Sequence, residues 1–161
     1  MPASINIRNA LATDHDFIYK LSPRLAAVAK LSWHNDAVVQ KMQDDYIKKM
    51  LAATSIPHAL LIAEQMNIYN QSKEPLGFVH VCQHQDDISG ETCAILTLLA
   101  VSPDAQGKGV GQLLTKAAQS WAKQQDYRLL HVEVFANNDR AQGFYQNLGF
   151  QAEMMTMVMP L

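Results

Sequence analysis

Three glycines fall within the six residues Gln106-Gly107-Lys108-Gly109-Val110-Gly111, between an apolar run and a strongly periodic apolar pattern. At a strand-to-helix junction, unpaired backbone N–H groups and the positive end of the helix dipole can hold a phosphate, and glycine lets the backbone approach it. The segment is not a Walker loop, because no Gly-Lys-Ser/Thr follows, and its spacing is not the Gly-x-Gly-x-x-Gly of dinucleotide folds. A tight turn or close helix packing selects the same residues. A second group lies in Leu129-Leu-His-Val-Glu-Val-Phe-Ala136, where strand alternation puts Leu130, Val132 and Val134 on one face and His131 and Glu133 on the other. Two titratable side chains thus share a side, which suits a general base and equally suits a solvated strand. The remaining histidines, His15, His34, His58, His80 and His84, show no His-x-x-x-His or mixed carboxylate spacing, so no metal is assigned. His80 and His84, on or near a strand, are placed to face a cleft. Cys82 and Cys93 sit in apolar segments without zinc-site spacing and read as reduced, buried thiols.

These residues need elements to position them. Ile5, Ile7 and Ala10-Leu11 suggest a first strand, Thr13 with Asp16 a helix cap, and Ser22-Pro23 a second cap, so two helices fill roughly residues 14–53. His58–Ala63 and Leu76–Val81 read as a hairpin around the polar stretch Asn67–Pro75, and Cys93–Val101 is a third apolar strand. After Ser102-Pro103-Asp104, the residues Val110, Leu113, Leu114, Ala117, Ala118, Trp121 and Ala122 trace an amphipathic helix. Leu129–Ala136 reads as a strand, Asn138–Leu148 as a helix closed by Gly149, and Phe150–Val158 as a final strand. The predicted order is βααβββαβαβ, an α/β domain over residues 1–161.

The chain has 161 residues, 48% hydrophobic and 17% charged, which suits one globular domain. Thirteen Lys and Arg against fifteen Asp and Glu give a net charge of -2, which excludes the basic field that nucleic acid or an anionic membrane surface requires. The start, Met1-Pro2-Ala3-Ser4-Ile5-Asn6-Ile7-Arg8, lacks the apolar core of a signal peptide, and no apolar run spans a bilayer. A soluble, cytoplasmic protein is the expectation.

In order along the chain come Leu99-Ala-Val101, Gln106-x-x-Gly109-x-Gly111, Asn138 and Phe144-Tyr145-x-x-Leu148-Gly149-Phe150. This series resembles the GNAT superfamily of N-acetyltransferases, most specifically from Ile95 to Phe150. The resemblance implies a mixed central sheet flanked by helices, with acetyl-CoA as cosubstrate. It implies that the pyrophosphate rests on the amides of Gly107, Lys108, Gly109, Val110, Gly111 and Gln112. It further implies that the pantetheine arm pairs with the main chain of Leu99, Ala100 and Val101, and that Asn138 bonds that arm. Asn137 or Asn138 is also what a helix N-cap wants. A twofold homodimer is compatible with the resemblance.

An amine attacking a thioester must first lose a proton, since an ordinary ammonium has a pKa of about 10.4, and the departing thiolate must be protonated. Tyr145 matches the family's general acid; its alternative is an aromatic anchor beside Phe144 and Leu148. Glu133 is similar in position to the catalytic glutamate of the acetyltransferases acting on ribosomal-protein N-termini. His131 is a weaker candidate base. One departure is Leu98, where many members carry Asp or Glu; Asp86, Asp87 and Glu91 precede the same strand as substitutes or as an ordinary solvated turn. The reading is acetyl transfer to a primary amine of a small molecule or a peptide N-terminus, by direct attack in a ternary complex. A non-catalytic acyl-CoA-binding sensor is the alternative, and a nucleotide-binding domain a third. Arg24–Ala53 would line the acceptor side. The Met-rich end, Met154 to Met159, reads as adaptable core or pocket lining.

Overall fold

The computed structural model describes residues 4–52 and 55–161. Met1, Pro2 and Ala3 of the expected leaderless start, and Ala53 at the end of the expected acceptor-lining stretch, lie outside them. The β-prone runs form five strands: β1 (Ile5–Asn9), β2 (His58–Met66), β3 (Lys73–Gln85), β4 (Thr92–Val101) and β5 (Leu130–Val132). They lie in sequence order in one sheet, with β1 to β4 antiparallel and β5 parallel to β4. Polar turns close the hairpins: the Asn67 side chain accepts from the Tyr69 amide at 2.9 Å, and Gly90, at φ +73°, ends the turn before β4.

Alternation along the strands sends neighbouring side chains to opposite faces, and each face acquires helices. Val79, Val81, Ala94 and Leu96 meet Leu114 and Ala118 of α4 (Val110–Gln124). Phe78, Ile62 and Leu98 meet Ile18 of α1 (His15–Lys20) and Ile47 and Met50 of α3 (Asp36–Ala52). Between α1 and α3 lies α2 (Ser22–Ala27), and α5 (Asp139–Asn147) follows β5. At the sheet's first edge, Arg8 grips Asp14 through its two terminal guanidinium nitrogens and Glu64 through Nε at 2.6 Å, and with Lys73 at 3.3 Å from Glu64 two cations balance two buried carboxylates.

Several expectations are corrected. The break at Ser22-Pro23 falls between α1 and α2 as expected, but residues 14–52 form three helices because the chain leaves the helix after Ala27 and restarts at Asn35, whose Oδ1 accepts from the Val38 amide at 2.9 Å and caps α3. Thr13 does not cap; the Asp14 carboxylate accepts from the Leu11 amide at 2.7 Å instead. Ser22 spends its hydroxyl on Asp44 at 2.6 Å rather than on a helix end. Pairing in the expected strand 129–136 is confined to Leu130–Val132. The expected final strand, Phe150–Val158, is absent: residues 151–161 are exposed and find no strand to pair with. The observed order is therefore βαααβββαβα. Cys82 and Cys93 are free and buried. Among the described residues, no helix is long and apolar enough to cross a membrane.

Candidate active site

The glycine loop lies between a short 3-10 turn (Pro103–Ala105) and α4. Gly107 and Gly109 adopt φ of +77° and +78°, a left-handed backbone that favours glycine, and a Cβ at either position would meet nothing within 4 Å. The loop is therefore open outward, and its glycines serve conformation and approach rather than packing. Gly111 differs: its missing side chain makes room for the Phe144 ring, which would lie 3.4 Å from a Cβ there. The first turn of α4 closes through the Leu113 amide on the Gly109 carbonyl at 3.1 Å. The amides of Gly107, Gly109, Val110, Gly111 and Gln112 find no acceptor among the described residues. Lys108 is the exception to the expected six, because its amide turns inward to the Ala105 carbonyl at 3.4 Å.

Beside this loop the sheet splits. β4 pairs with β5 only at Ala94, Ile95 and Leu96, while β4 itself runs on to Val101. Among the described residues, the segment 97–101 thus has β3 on one side and no strand on the other, leaving an unpaired strand edge that includes Leu99, Ala100 and Val101. A bulge marks the parting: His80 pairs with Leu98 and Val81 with Leu96, so Thr97 is the extra residue. The Thr97 hydroxyl lies 2.6 Å from Nδ1 of His80. Burial, with the neighbouring His58 adding to it, pushes His80 down to about 4, so its imidazole is neutral at physiological pH.

Tyr145 of α5 packs its ring edge-on between Phe144 and Phe150, with centroids 5.1 and 5.3 Å away. Its hydroxyl makes no hydrogen bond within the described residues, yet it is not sealed from solvent. Burial pushes its ionisation well above the ordinary tyrosine value, so the hydroxyl stays a donor. At and just past the end of β5, Val132 and Val134 pack into the cluster that α4 covers and leave Glu133 exposed, as the alternation predicts. The hydroxyl of Tyr46 on α3 is pushed up, chiefly by burial, with Glu133 adding to the rise.

Of the other candidate bases, Asp87 is exposed in the β3–β4 turn without a hydrogen bond among the described residues, and the rest are engaged. Glu91 forms an ion pair with Arg128, whose Nε donates to Oε2 at 3.1 Å. Asp86 is buried, held by the Ser89 amide at 2.6 Å, and faces Nε2 of His131 at 3.2 Å. Leu98 is a core residue against α1 and α3. Asn138 caps α5, its Oδ1 accepting from the Ala141 amide at 3.2 Å, which leaves its amide NH2 uncommitted. Sequence reasoning missed Thr97 and Tyr46. Tyr46 stands at helical spacing from Met42 and Met50, which marks a helix face and not a site, and no local signal marks a bulge that depends on cross-strand register.

A family model described as "Acetyltransferase (GNAT) family" matches residues 23–150. Over 151 residues the chain is 24% identical to a Bacillus subtilis protein provisionally named as a ribosomal protein bS18-alanine N-acetyltransferase, covering 94% of this chain and 83% of that one. It is 25% identical over 123 residues to a 5-NmdU N-acetyltransferase of Pseudomonas phage PaMx11, covering 70% and 86%. Among solved structures it is similar to the aminoglycoside N-acetyltransferase AAC(6')-Iy in complex with CoA, at a TM-score of 0.68 and 18% identity over 100% of this chain and 97% of the other.

Proposed function

The chain belongs to the acetyltransferase (GNAT) family, and on that premise we propose that it transfers acetyl from acetyl-CoA to a primary amine of a small molecule or a peptide N-terminus, by direct attack in a ternary complex. The observation that carries this reading is the junction of two unsatisfied backbone surfaces: the outward amides of the left-handed glycine loop and the unpaired edge of β4 beside it. The first suits a pyrophosphate, since it offers amides and a helix N-terminus. The second suits the amides of a pantetheine arm, which can extend the sheet by main-chain hydrogen bonds. The residues that would hold the cosubstrate are Gly107, Gly109, Val110, Gly111 and Gln112 for the phosphates, Leu99, Ala100 and Val101 for the arm, and the free NH2 of Asn138.

Bound there, acetyl-CoA supplies an activated acetyl group and a thiolate to be displaced. Glu133, exposed on the side of its strand away from the core, takes the proton that the acceptor ammonium must lose. Tyr145 keeps its own proton until the sulfur departs, and the aromatic packing on both sides of its ring fixes where that proton is delivered. Neutral His80 and Thr97 at the bulge offer the acceptor side a polar pair without a competing charge.

The test is thiol release from acetyl-CoA with a panel of amines, peptides and aminoglycosides, together with a binding titration of acetyl-CoA on the same sample. Release with any acceptor class supports the enzyme and names its substrate. Tight binding without release across the panel favours the acyl-CoA-binding sensor, the reading that the buried Leu98 also favours. No binding overturns the assignment of the loop.

A further inference from the structure

At the end of the sheet where the β3–β4 turn lies, three segments distant in sequence converge. Asp86 comes from that turn, His131 from β5, and Glu153 from the segment after α5. One ligand atom from each lies within 4.8 Å of the others, and Nε2 of His131 is 3.2 Å from Oδ1 of Asp86. The Asp86 carboxylate is buried and already oriented: its Oδ2 receives the Ser89 amide at 2.6 Å and the Ser89 hydroxyl at 2.7 Å, which leaves Oδ1 facing the imidazole. Such outer hydrogen bonds are what hold a metal-ligating carboxylate in place. A further imidazole, His84 of β3, stands edge-on to His131 with ring centroids 5.4 Å apart.

The position of Glu153 lacks another explanation in the fold. Residues 151–161 are exposed, belong to no helix or strand, and make no hydrogen bond within the described residues. No apolar burial or main-chain pairing fixes that segment, yet its one carboxylate faces the Asp86–His131 pair. The neighbouring acid Glu91 is neutralised by Arg128, so the uncompensated charge at the cluster is that of Asp86 and Glu153.

We propose that Asp86, His131 and Glu153 form a binding site for a divalent first-row transition cation of the zinc class, with His84 within reach as a fourth donor, and that the cation clips the C-terminal segment to the sheet. One imidazole and two carboxylates balance a double positive charge and match the nitrogen and oxygen donors such ions accept. Metal–ligand bonds of about 2.0–2.2 Å place ligand atoms roughly 3–3.5 Å apart. The Asp86–His131 separation already fits, and Glu153, being exposed, is free to close the remainder. This departs from the sequence expectation of no metal, and it is independent of the acetyl-transfer reading.

The experiment uses the full chain without affinity-tag histidines, stripped with a chelator and titrated with Co(II) and then Zn(II). Visible absorption of bound Co(II) should appear at one equivalent and be displaced by Zn(II). Glu153→Gln and Asp86→Asn should each weaken binding at least tenfold, or about 1.4 kcal/mol. Zn(II) should also slow carboxypeptidase digestion of residues 151–161 in the unaltered chain and leave digestion of Glu153→Gln unchanged. Because Glu153 is exposed and unbonded, that variant keeps the fold and isolates the ligand. Absence of stoichiometric Co(II) binding, or equal binding by both variants, would leave Asp86 and His131 as a contacting pair only and overturn the proposal.

Discussion

The Tyr145 hydroxyl is the residue-scale feature with the sharpest test, because it lies in an aromatic sandwich that its loss would not disturb. Tyr145→Phe should retain folding and acetyl-CoA affinity and lose turnover by about 10²-fold or more, measured as thiol release at saturating acceptor. Its ionisation is pushed up by burial, so that loss should hold at every pH from 6 to 9 with no titration of its own. Glu133→Gln should behave differently. Without a base, reaction depends on the acceptor molecules already deprotonated, so the deficit should be largest at low pH and shrink as pH rises toward about 10.4. A flat deficit would shift the role to water or to His131. His80 makes a stability prediction. Its folded value of about 4 lies below the ordinary value of about 6.5, so the unfolded chain binds the extra proton between them. The contribution is present above the unfolded value and is lost as pH falls toward the folded one. Urea unfolding at pH 7 and pH 5 should differ by about 2 kcal/mol from this group alone, and His80→Gln should remove that difference.

At the scale of elements, the glycine loop works through backbone shape. Gly109→Val places a branched side chain at φ +78°, where such residues are strained, in a loop that otherwise has open space around it. The expected outcome is a raised KM for acetyl-CoA with kcat changed less, and a modest loss of thermal stability; an unchanged KM would remove the loop from the cofactor site. The same elements show what sequence can carry. α4 and the strands β2 to β4 were legible because their periodicity is local: Val110, Leu114, Ala118 and Ala122 are the buried stripe, as their spacing indicates. The glycine positions and the Glu133 side of its strand were legible for the same reason. The interruption between Ala27 and Asp36 was not, since no glycine or proline stands between residues 24 and 52 to announce it. Nor was the fate of Phe150–Val158, because an apolar run becomes a strand only when a neighbour offers it hydrogen bonds, and none is present among the described residues.

Across the whole molecule, the illegible features are those made by distant chain segments meeting: the Thr97 bulge against His80, Glu133 acting on Tyr46, and Asp86 with His131 and Glu153. Each depends on register or on a terminal segment's path, which composition and spacing do not encode. The parting of β4 and β5 has a consequence in time as well as in shape. β2, β3 and β4 are joined by short turns, so their pairing closes small loops, whereas β5 reaches β4 only after the crossover through α4 and holds three residue pairs. The seam beside the unpaired β4 edge is therefore the cheapest part of the sheet to open and among the last to close. Amide hydrogen exchange should be faster at Leu130, His131 and Val132 than at Phe78 and Val79. Added acetyl-CoA should slow the former far more than the latter, so that occupancy of the cleft is recorded as a change in how often the sheet breathes at this one edge.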